Sequence, residues 1–280
     1  MVTFFSIPKK FEGLYETIQT NAILSWIESV PNCEIILFID DSEKGKLKFN
    51  QENVIIVDDN KTNNYGTPLL SYIWTKAYEL SSNNHLCFIN SDIIIFPEFN
   101  RILNIGISSY LIAGRRWDLD FKELVKFESN WDNNLIKKAK SEGLLHQETG
   151  VDYFLFTKNS MPKMPNFAIG RGWWDNWLLY NFGKRGIPVI DGTELITVHQ
   201  NHDYSHIKSV TKETNHKGLE RIENGKIANL SYYNIIYISD SKYFLCNNEI
   251  IKRPFFYRLK RLLIRYGVRT FSKFIQKLKF

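Results

Sequence analysis

Three histidines lie within eight positions of one segment, His199-Gln-Asn-His-Asp-Tyr-Ser-His206. Imidazole nitrogens are common metal ligands, so this spacing raises the prospect of a metal site. A zinc protease would need a glutamate directly after the first histidine of a helical pair, and glutamine follows here. The preceding residues 195–198 have the pattern of a strand, and the three cysteines are scattered along the chain. Both a protease motif and a structural zinc cage are therefore disfavoured.

A site for a harder metal fits the chain better. A carboxylate at Asp92, one imidazole and the oxygens of a phosphate would together suit Mn²⁺ or Mg²⁺, which bind carboxylate and substrate oxygen readily. Such a metal would neutralise the charge of a departing diphosphate. For any one of the three histidines, capping or a hydrogen bond in the core is the alternative interpretation.

These side chains need a scaffold. In the first ninety residues, predicted strands and helices follow one another as in an open parallel α/β sheet. Apolar runs predict strands at 2–7, 34–39, 54–57 and 86–89, and helical spacing predicts helices at 15–29 and 69–80. Ser6, Asp40-Asp41 and Asn90-Ser91-Asp92 mark three of the strand ends. Because ligands bind beyond the carboxyl ends of parallel strands, these ends predict a site, although Asp and Asn are also ordinary turn residues.

The rest of the chain continues without a break in composition. Residues 111–113 and 152–157 predict strands, and residues 121–143 form a charged stretch that is compatible with a helix. No repeat and no linker rich in Gly, Pro and Ser divides the chain. We therefore expect one continuous domain over residues 1–250, followed by a helical tail over 251–280.

The positive charge of the chain is concentrated in that tail. Lys and Arg number 36 against 30 Asp and Glu, a net charge of +6, yet residues 251–280 hold ten Lys and Arg and no acidic residue. The first 250 residues therefore carry 26 basic and 30 acidic residues, a net charge of −4. An acidic body argues against a nucleic-acid-binding protein. The tail has the pattern of a basic amphipathic helix, which would suit an anionic membrane surface or would pack its apolar side on the domain.

Cysteine usage and apolar patterning indicate the compartment. Cys33, Cys87 and Cys246 each lie in an apolar run, as buried thiols of a reducing compartment do. The N-terminal segment lacks the charged, apolar and small-residue order of a signal peptide. No stretch approaches the roughly 18 to 20 apolar residues of a spanning helix. We therefore expect a cytoplasmic protein.

Several short motifs resemble those of glycosyltransferases with the GT-A fold. They are Phe4-Phe-Ser-Ile-Pro8, Asn21-Ala22, Ser25-Trp26, Glu34-Ile-Ile-Leu-Phe38, Asn90-Ser-Asp-Ile93 and Trp174-Asp-Asn-Trp177. The run from His199 to His206 resembles a subgroup of that class from plants and large DNA viruses, and the resemblance covers roughly residues 1–235. Chain length and an Asn-, Lys- and Ile-rich composition also resemble chlorovirus xylosyltransferases that build capsid glycans.

The resemblance implies a Rossmann-like α/β fold, with a mixed, mostly parallel sheet flanked by helices. About residues 1–110 would form the nucleotide-binding half and about residues 111–250 the acceptor-binding half. It implies a metal-dependent transferase that moves a sugar from a UDP-sugar, with UDP-xylose as the specific donor, to a hydroxyl of a glycan or glycoprotein. For a viral protein the location would be the host cytoplasm, with peripheral membrane contact through residues 251–280.

The resemblance also implies metal ligands. Asn90-Ser91-Asp92 lies where GT-A enzymes carry their DxD metal motif, but Asn90 replaces the first carboxylate. Asp92 is then the anionic ligand, and a histidine after the last core strand would complete the protein ligands of Mn²⁺ or Mg²⁺. His199 is the first choice for that histidine, and His202 and His206 are the alternatives.

Donor residues are implied by position in the same way. Ser6, Ile7 and Pro8 match the end of the first strand, which touches the nucleotide base in that class. Asp40 matches the second strand end, which meets base or ribose. Arg115 would meet diphosphate or sugar, and a surface ion pair is its alternative.

The implied catalytic base is Asp175, which matches the position of that base in inverting members. It would take the proton of the acceptor hydroxyl as this attacks the anomeric carbon. An N-cap for a helix over 176–182 is the alternative role. Trp173 and Trp174 would stack on sugar rings, with core packing as the alternative, and Asp152 would orient donor or acceptor hydroxyls.

Three rival functions stay open at this point. A retaining transferase of the same fold would need no external base. A non-catalytic glycan-binding protein would use the aromatic residues alone. A nucleic-acid-binding protein would account for the isoelectric point of about 9.0 but not for the acidic body.

Overall fold

A nine-stranded mixed sheet forms the centre of the molecule, and a four-stranded sheet lies beside it. The computed structural model describes residues 1–49, 52–202, 218–231, 234–261, 263 and 267. Its strands are β1 (Val2–Ser6), β2 (Glu34–Phe38), β3 (Val54–Val57), β4 (His85–Ile89), β5 (Ile93–Ile94), β6 (Leu111–Arg115), β7 (Trp117–Leu119), β8 (Leu144–Leu145), β9 (Val151–Thr157), β10 (Val189–Asp191), β11 (Val198–Gln200), β12 (Tyr243–Cys246) and β13 (Glu249–Lys252). Its helices are α1 (Leu14–Ser29), α2 (Leu70–Leu80), α3 (Glu98–Arg101), α4 (Trp131–Glu142), α5 (Trp174–Lys184) and α6 (Leu219–Ala228), and residues 255–261 are also helical.

The large sheet has the order β13-β12-β10-β6-β9-β4-β1-β2-β3. Strands β4, β1, β2 and β3 are parallel to one another, as are β6, β10 and β12. Strand β9 lies antiparallel between β4 and β6 and joins the two parallel groups. The prediction of a mixed, mostly parallel α/β fold is confirmed. A purely parallel sheet, which the first ninety residues taken alone indicated, is not what forms.

Alternation along β1 places side chains on both faces of this sheet. Phe4 packs on one face with Trp26 of α1, and Phe5 packs on the other with Trp74 of α2. Both faces are covered by helices, so the strands are apolar on both sides and read as continuous hydrophobic runs. For this reason the sequence predicts these strands directly.

The small sheet has the order β5-β11-β7-β8. Strand β11 is parallel to β7 and antiparallel to β5, with His199 opposite both Asp118 and Ile93. Helix α4 covers this sheet through Leu135 and Ala139, which are one helical turn apart. These short strands carry little apolar pattern of their own, and their pairing is a tertiary feature.

Helix α1 ties the small sheet to the large one through buried polar side chains. The Nε1–H of Trp26 donates to the carbonyl of Ile93 at 2.9 Å, and the Oγ of Ser25 accepts from the N–H of Ile95 at 3.1 Å. The amide of Asn21 donates to Oε1 of Gln200 at 2.8 Å. Because buried polar groups need partners, these contacts fix where β5 and β11 lie.

Several sequence predictions need correction. Residues 121–143 are helical only over Trp131–Glu142, and before this helix the Asn21 side chain of α1 donates to the carbonyl of Glu123 and accepts from the N–H of Val125. The strand predicted to end at Val198 begins there instead. Strand β13 also crosses the predicted domain boundary at residue 250 and pairs with β12.

The start of the predicted tail is attached to the body. Arg253 donates to Asp191 at 2.5 Å, and Arg261 donates to Glu148 at 2.8 Å and to Asp240 at 3.2 Å. Among the described residues, no helix combines the length and the apolar character that crossing a membrane requires. The basic positions Arg265 and Arg269 lie outside the described residues.

Candidate metal-binding cleft

Asp92, His199 and His202 converge at the junction of the two sheets. The Nε2 atoms of His202 and His199 lie 3.1 Å and 3.7 Å from Oδ2 of Asp92. One possible ligand atom from each of the three residues lies within 4.8 Å of the others. The sequence predicts one imidazole beside Asp92, and the structure places two there. The third candidate, His206, lies outside the described residues.

Each ligand is positioned by a different element. Asp92 stands in the turn between β4 and β5, and the N–H of Gln200 donates to its backbone carbonyl at 3.2 Å. His199 is held in register inside the small sheet. The ring of His202 packs edge-on against Tyr15 near the start of α1, with ring centres 5.3 Å apart. The site therefore depends on α1, on β5 and on β11 at once.

The electrostatics of the cluster favour an ionised carboxylate. Burial raises the pKa of Asp92, but the hydrogen bond from His202 and the charges of His199, His202 and Arg116 lower it overall. Burial lowers the pKa of His199, but Asp118 and Asp92 outweigh burial and raise it above its ordinary value. The anionic and cationic groups of the cluster therefore stabilise one another.

A divalent metal fits this donor set. The Oδ1 atom of Asp92 is buried and has no hydrogen-bond partner among the residues that the structure describes. A buried oxygen without a partner is costly unless a ligand satisfies it. Two imidazoles and one carboxylate leave coordination positions for substrate oxygens, as a catalytic rather than a structural metal needs.

The cluster opens into a cleft of about 420 Å³. Other residues predicted for the site also line it: Ile7, Pro8, Asn90, Ser91 and Asp152. Its far wall contains Arg171, which lies between two glycines with left-handed backbone angles, Gly170 and Gly172 at φ 69° and 67°. Glu220 of α6 accepts from Arg171 at 2.6 Å, which holds this guanidinium at the cleft.

Asp152 is anchored at the floor of the cleft. The side-chain amide of Asn90 donates to Oδ1 of Asp152 at 2.7 Å, and the guanidinium of Arg116 donates to Oδ2. Asn90, which stands in place of a carboxylate, therefore acts as a donor to the neighbouring strand. A carboxylate at position 90 would repel Asp152 instead.

Asp175 lies in the first turn of α5, close enough to Asp152 for their charges to interact. Its Oδ1 atom is buried and unpartnered among the described residues. Burial raises the pKa of Asp175 above its ordinary value and outweighs the hydrogen bonds from nearby backbone N–H groups, while the Asp152 charge adds to the increase and Arg221 opposes it. Trp173, rather than Asp175, is the N-terminal cap residue, so the alternative role as a cap is not realised.

Other predicted residues lie elsewhere. Ser6 is fully buried, and its hydroxyl donates to the carbonyl of Ile89 at 2.6 Å, so it stabilises the sheet and cannot touch a nucleotide. Asp40 accepts from the N–H of Ser42 at 2.9 Å at the start of a short 3₁₀ turn, and it does not line the cleft. Arg115 donates to the carbonyl of His146 at 2.6 Å and buttresses a loop.

The two adjacent tryptophans have different surroundings. Trp174 is 7% exposed and packs edge-on against Phe88, with ring centres 5.4 Å apart, so the prediction of a sugar platform is wrong for this residue. The apolar face of α5 must be buried on the sheet, and Trp174 is on that face. Trp173 is partly buried, packs on the same core, and lies beside Gly225 of α6.

Several residues that lie in or next to the cleft are not predicted from the sequence. Lys9 and Arg171 line it, as does Arg116. Asp118 and His146 lie behind His199, with His146 Nδ1 2.5 Å from Asp118 Oδ2. Arg116 and Asp118 closely follow β6 in the sequence, next to the predicted donor residue Arg115, whereas nothing in the sequence position of His146 points to the site.

No protein-family model and no curated protein sequence matches the chain. Among solved structures, the mannosyltransferase PcManGT from Pyrobaculum calidifontis, in complex with GDP-Man and Mn²⁺, has a TM-score of 0.47 at 10% identity, over 72% of this chain and 57% of that one. Glucosyl-3-phosphoglycerate synthase from Mycobacterium tuberculosis, in complex with Mg²⁺ and UDP, gives 0.46 at 16% identity, over 82% and 80%.

A third solved structure is 4-diphosphocytidyl-2C-methyl-D-erythritol synthase from Anaerococcus prevotii, with a TM-score of 0.40 at 13% identity, over 82% of this chain and 99% of that one. Of the mannosyltransferase described above, the match covers 57%, so this chain spans little more than half the length of that protein. The similarity lies in the arrangement of sheet and helices, and it assigns no residue role to this protein.

Proposed function

We propose that this protein is a metal-dependent glycosyltransferase that moves a sugar from a nucleotide diphosphate to a glycan hydroxyl. The observation that carries the proposal is the cluster of Asp92, His199 and His202 at the floor of a cleft, beside the ends of β1 and β4. A metal at a strand-end crevice, with room for a nucleotide, is what sugar transfer from a diphosphate needs.

Mn²⁺ is the ion that we propose. Mg²⁺ is bound almost entirely through oxygen, so two imidazoles favour Mn²⁺ over Mg²⁺. When bound, the ion would supply Lewis-acid stabilisation for the diphosphate that leaves. Asp92, His199 and His202 would hold it, while Lys9 and Arg171 add positive charge along the cleft.

The residues directly after β1 would contact the nucleotide. Ile7 and Pro8 line the cleft directly after β1 and offer an apolar surface to a base. We propose UDP as the nucleotide on the resemblance of the sequence motifs, and xylose as the sugar on the resemblance in chain length and composition. The proposed acceptor is a hydroxyl of a glycan or a glycoprotein.

We assign Asp175 as the general base of an inverting reaction. A carboxylate with a raised pKa accepts a proton from a hydroxyl more readily than an ordinary one, because the difference between the two pKa values is smaller. Asp152, held by Asn90 and Arg116, would orient sugar hydroxyls. A retaining enzyme would need no such base, and the anomeric configuration of the product, read by NMR, separates the two mechanisms.

A panel of nucleotide sugars with Mn²⁺ tests the proposal. We expect hydrolysis or transfer with at least one UDP-sugar, and thermal stabilisation by UDP only when Mn²⁺ is present. Asp92→Ala should abolish both, whereas Asp41→Ala, on the exposed 3₁₀ turn, should change neither. Binding of glycans without turnover of any donor would favour a non-catalytic glycan-binding protein instead.

We also propose that the basic C-terminal region contacts an anionic membrane surface. Phe255 and Phe256 are 68% and 80% exposed at the start of the helical segment 255–261. They lie within the stretch that contains ten Lys and Arg and no acidic residue. Exposed aromatic side chains flanked by basic ones match the chemistry of a bilayer interface.

A further inference from the structure

The imidazole of His199 lies between two carboxylates. Its Nε2 atom faces Asp92, and its Nδ1 atom lies 3.3 Å from Oδ1 of Asp118, at the long end of the hydrogen-bonding range. Nδ1 is buried and makes no hydrogen bond of ordinary geometry to the described residues. The Asp118 carboxylate is therefore the acceptor available to it. The backbone pairing of β7 and β11 places the two residues directly opposite each other.

Asp118 is itself held in place by two donors. The Nε–H of Arg116 donates to Oδ1 at 2.9 Å, and Nδ1 of His146 lies 2.5 Å from Oδ2. Side-chain exposure of Asp118 is 19%, so these contacts operate with little competition from water. An ionised carboxylate accepts hydrogen bonds and donates none, which makes the nitrogen that faces it the protonated one.

His146 is in turn positioned by the loop that follows β8. Arg115 donates to the His146 carbonyl, and Arg261 of the C-terminal helical segment donates to Glu148. A Cβ atom at Gly150 would overlap the imidazole ring of His146, so only glycine leaves room for the ring there. The loop therefore fixes the ring against Asp118.

We propose that Asp118, supported by His146, is a positioning residue for the metal centre. It binds the Nδ1 proton of His199, which leaves the Nε2 lone pair directed at the ion held with Asp92. A metal-bound imidazole commonly donates its other N–H to a carboxylate in this way, which orients the ring and increases its basicity. The inference rests on the proposed metal site and adds to it a residue that touches neither ion nor substrate.

Mn²⁺ binding to the full-length protein without any nucleotide tests this inference. By titration calorimetry, Asp118→Asn should bind Mn²⁺ about 10- to 100-fold more weakly than wild type. Electron spin-echo envelope modulation of bound Mn²⁺ should show the signal of coordinated imidazole nitrogen reduced from that of two rings toward that of one, because His202 keeps its position. A merely structural role would lower the unfolding temperature and leave this nitrogen signal unchanged.

Further variants keep the test sound if Asp118→Asn folds poorly. His146→Gln and Gly150→Ala leave the Asp118 carboxylate in place and should weaken Mn²⁺ binding in the same direction but less. Asp120→Asn is the matched control, because this carboxylate is 73% exposed, lies one residue beyond β7 and pairs only with Lys122 among the described residues. It should bind Mn²⁺ as wild type does.

The outcomes separate the two proposals. If wild-type protein binds no Mn²⁺, the metal site itself is wrong, and the role of Asp118 is overturned with it. If wild type binds Mn²⁺ but Asp118→Asn binds within about threefold of it with an unchanged nitrogen signal, only the role of Asp118 is overturned.

Discussion

Asp92 and Asp175 are partly buried residues whose buried Oδ1 atoms have no partner among the described residues, yet their surroundings shift their pKa values in opposite directions. Histidines and Arg116 surround Asp92 and keep it ionised, as a metal ligand must be. Asp175 has burial and the negative charge of Asp152 around it, which favour its protonated form. Opposite shifts of this kind in one site are typical of carboxylates with different catalytic roles.

Asp175→Asn should abolish most transfer without loss of folding. We expect kcat to fall about 10²- to 10⁴-fold, the usual contribution of a general base, with UDP affinity unchanged. An aspartate at the next position of α5, introduced by Asn176→Asp, should not replace Asp175 as the base. The side chain of residue 176 lies against the carbonyl of Ile236, to which the Asn176 amide donates at 3.1 Å. A variant that transfers at a rate near wild type would remove Asp175 from the base role.

The pH dependence of stability gives a second test of Asp175. Its pKa is raised in the folded state, so the charged form is less favourable there than in the unfolded chain. The stability associated with the protonated group is present below the unfolded pKa and is lost as pH rises through the folded pKa. Asp175→Asn removes this loss, so its melting temperature relative to wild type should increase with pH over that interval, as calorimetry at several pH values can show. An unchanged difference at every pH would contradict the burial of this carboxyl.

The structure places a second imidazole, that of His202, beside Asp92, where the sequence predicts one. His202→Ala should weaken Mn²⁺ binding by more than about 100-fold, since loss of an outer partner alone reaches 10- to 100-fold. His85→Gln is a suitable control, because this half-buried histidine pairs with Tyr110 at the far end of β4. Unaltered Mn²⁺ affinity in His202→Ala would leave Asp92 and His199 as the protein ligands.

At the level of elements, two glycines let β6 and β10 approach closely enough to place the site. A Cβ atom on Gly114 would lie 2.6 Å from the Tyr153 hydroxyl and 2.7 Å from the backbone of Gly192. The register of β6 against β9 shifts between Ala113 and Arg115, and this irregularity precedes Arg116, which holds Asp152 and Asp118. Close backbone packing thus sets the direction of the chain that delivers these groups.

Gly114→Ala should destabilise the protein by about 1–3 kcal/mol, the usual penalty for overpacking a core. Gly183→Ala is the matched control. Nothing lies within 4 Å of a Cβ atom at this exposed position in the last turn of α5, and alanine should stabilise the helix by up to about 1 kcal/mol. Chemical unfolding measures both. Equal stability of the two variants would show that β6 and β10 can separate at no cost.

At the level of the whole molecule, the charge of +6 is the sum of an acidic body and a basic C-terminal region. The structure shows that part of this basic charge is already paired, since Arg253 and Arg261 bind acidic residues of the body. Lys252, Arg258 and Lys260 are exposed beside Phe255 and Phe256. Within residues 251–261, this region is therefore attached to the body and presents both apolar and basic side chains to solvent.

Binding to vesicles tests the membrane proposal. Wild type should bind phosphatidylcholine vesicles only when phosphatidylserine is included, and less at raised ionic strength, which screens the charges. The double variant Phe255→Ser, Phe256→Ser should bind more than about tenfold more weakly, because burying a Phe contributes about 1.5–3 kcal/mol. Leu144→Ser, which changes a side chain with 73% exposure on β8, is the control. Equal binding of both variants, or self-association in place of lipid binding, would contradict the proposal.

Elements with a strong local pattern were predictable from the sequence alone. The strands that are buried on both faces and the helices α1 and α2 were found within one or two residues, because their apolar periodicity is dictated by the sheet that they cover. Asp92 was predictable as a residue just beyond a strand of the sheet, whereas the histidines stood out by their spacing and were paired with Asp92 through the resemblance to a known family. The sequence by itself therefore determined the fold class and narrowed the candidate metal ligands to Asp92 and three histidines.

The tertiary structure decided the rest. That His199 and His202 both reach Asp92 depends on buried hydrogen bonds from α1 to the small sheet, which no spacing along the chain records. The tertiary structure also determines three other features. They are the burial of Trp174, the position of Ser6 within the sheet and the contact of Asp118 with His199. Each depends on contacts between residues far apart in sequence, and a local pattern carries no information about which distant groups will satisfy a buried polar atom or cover an apolar one.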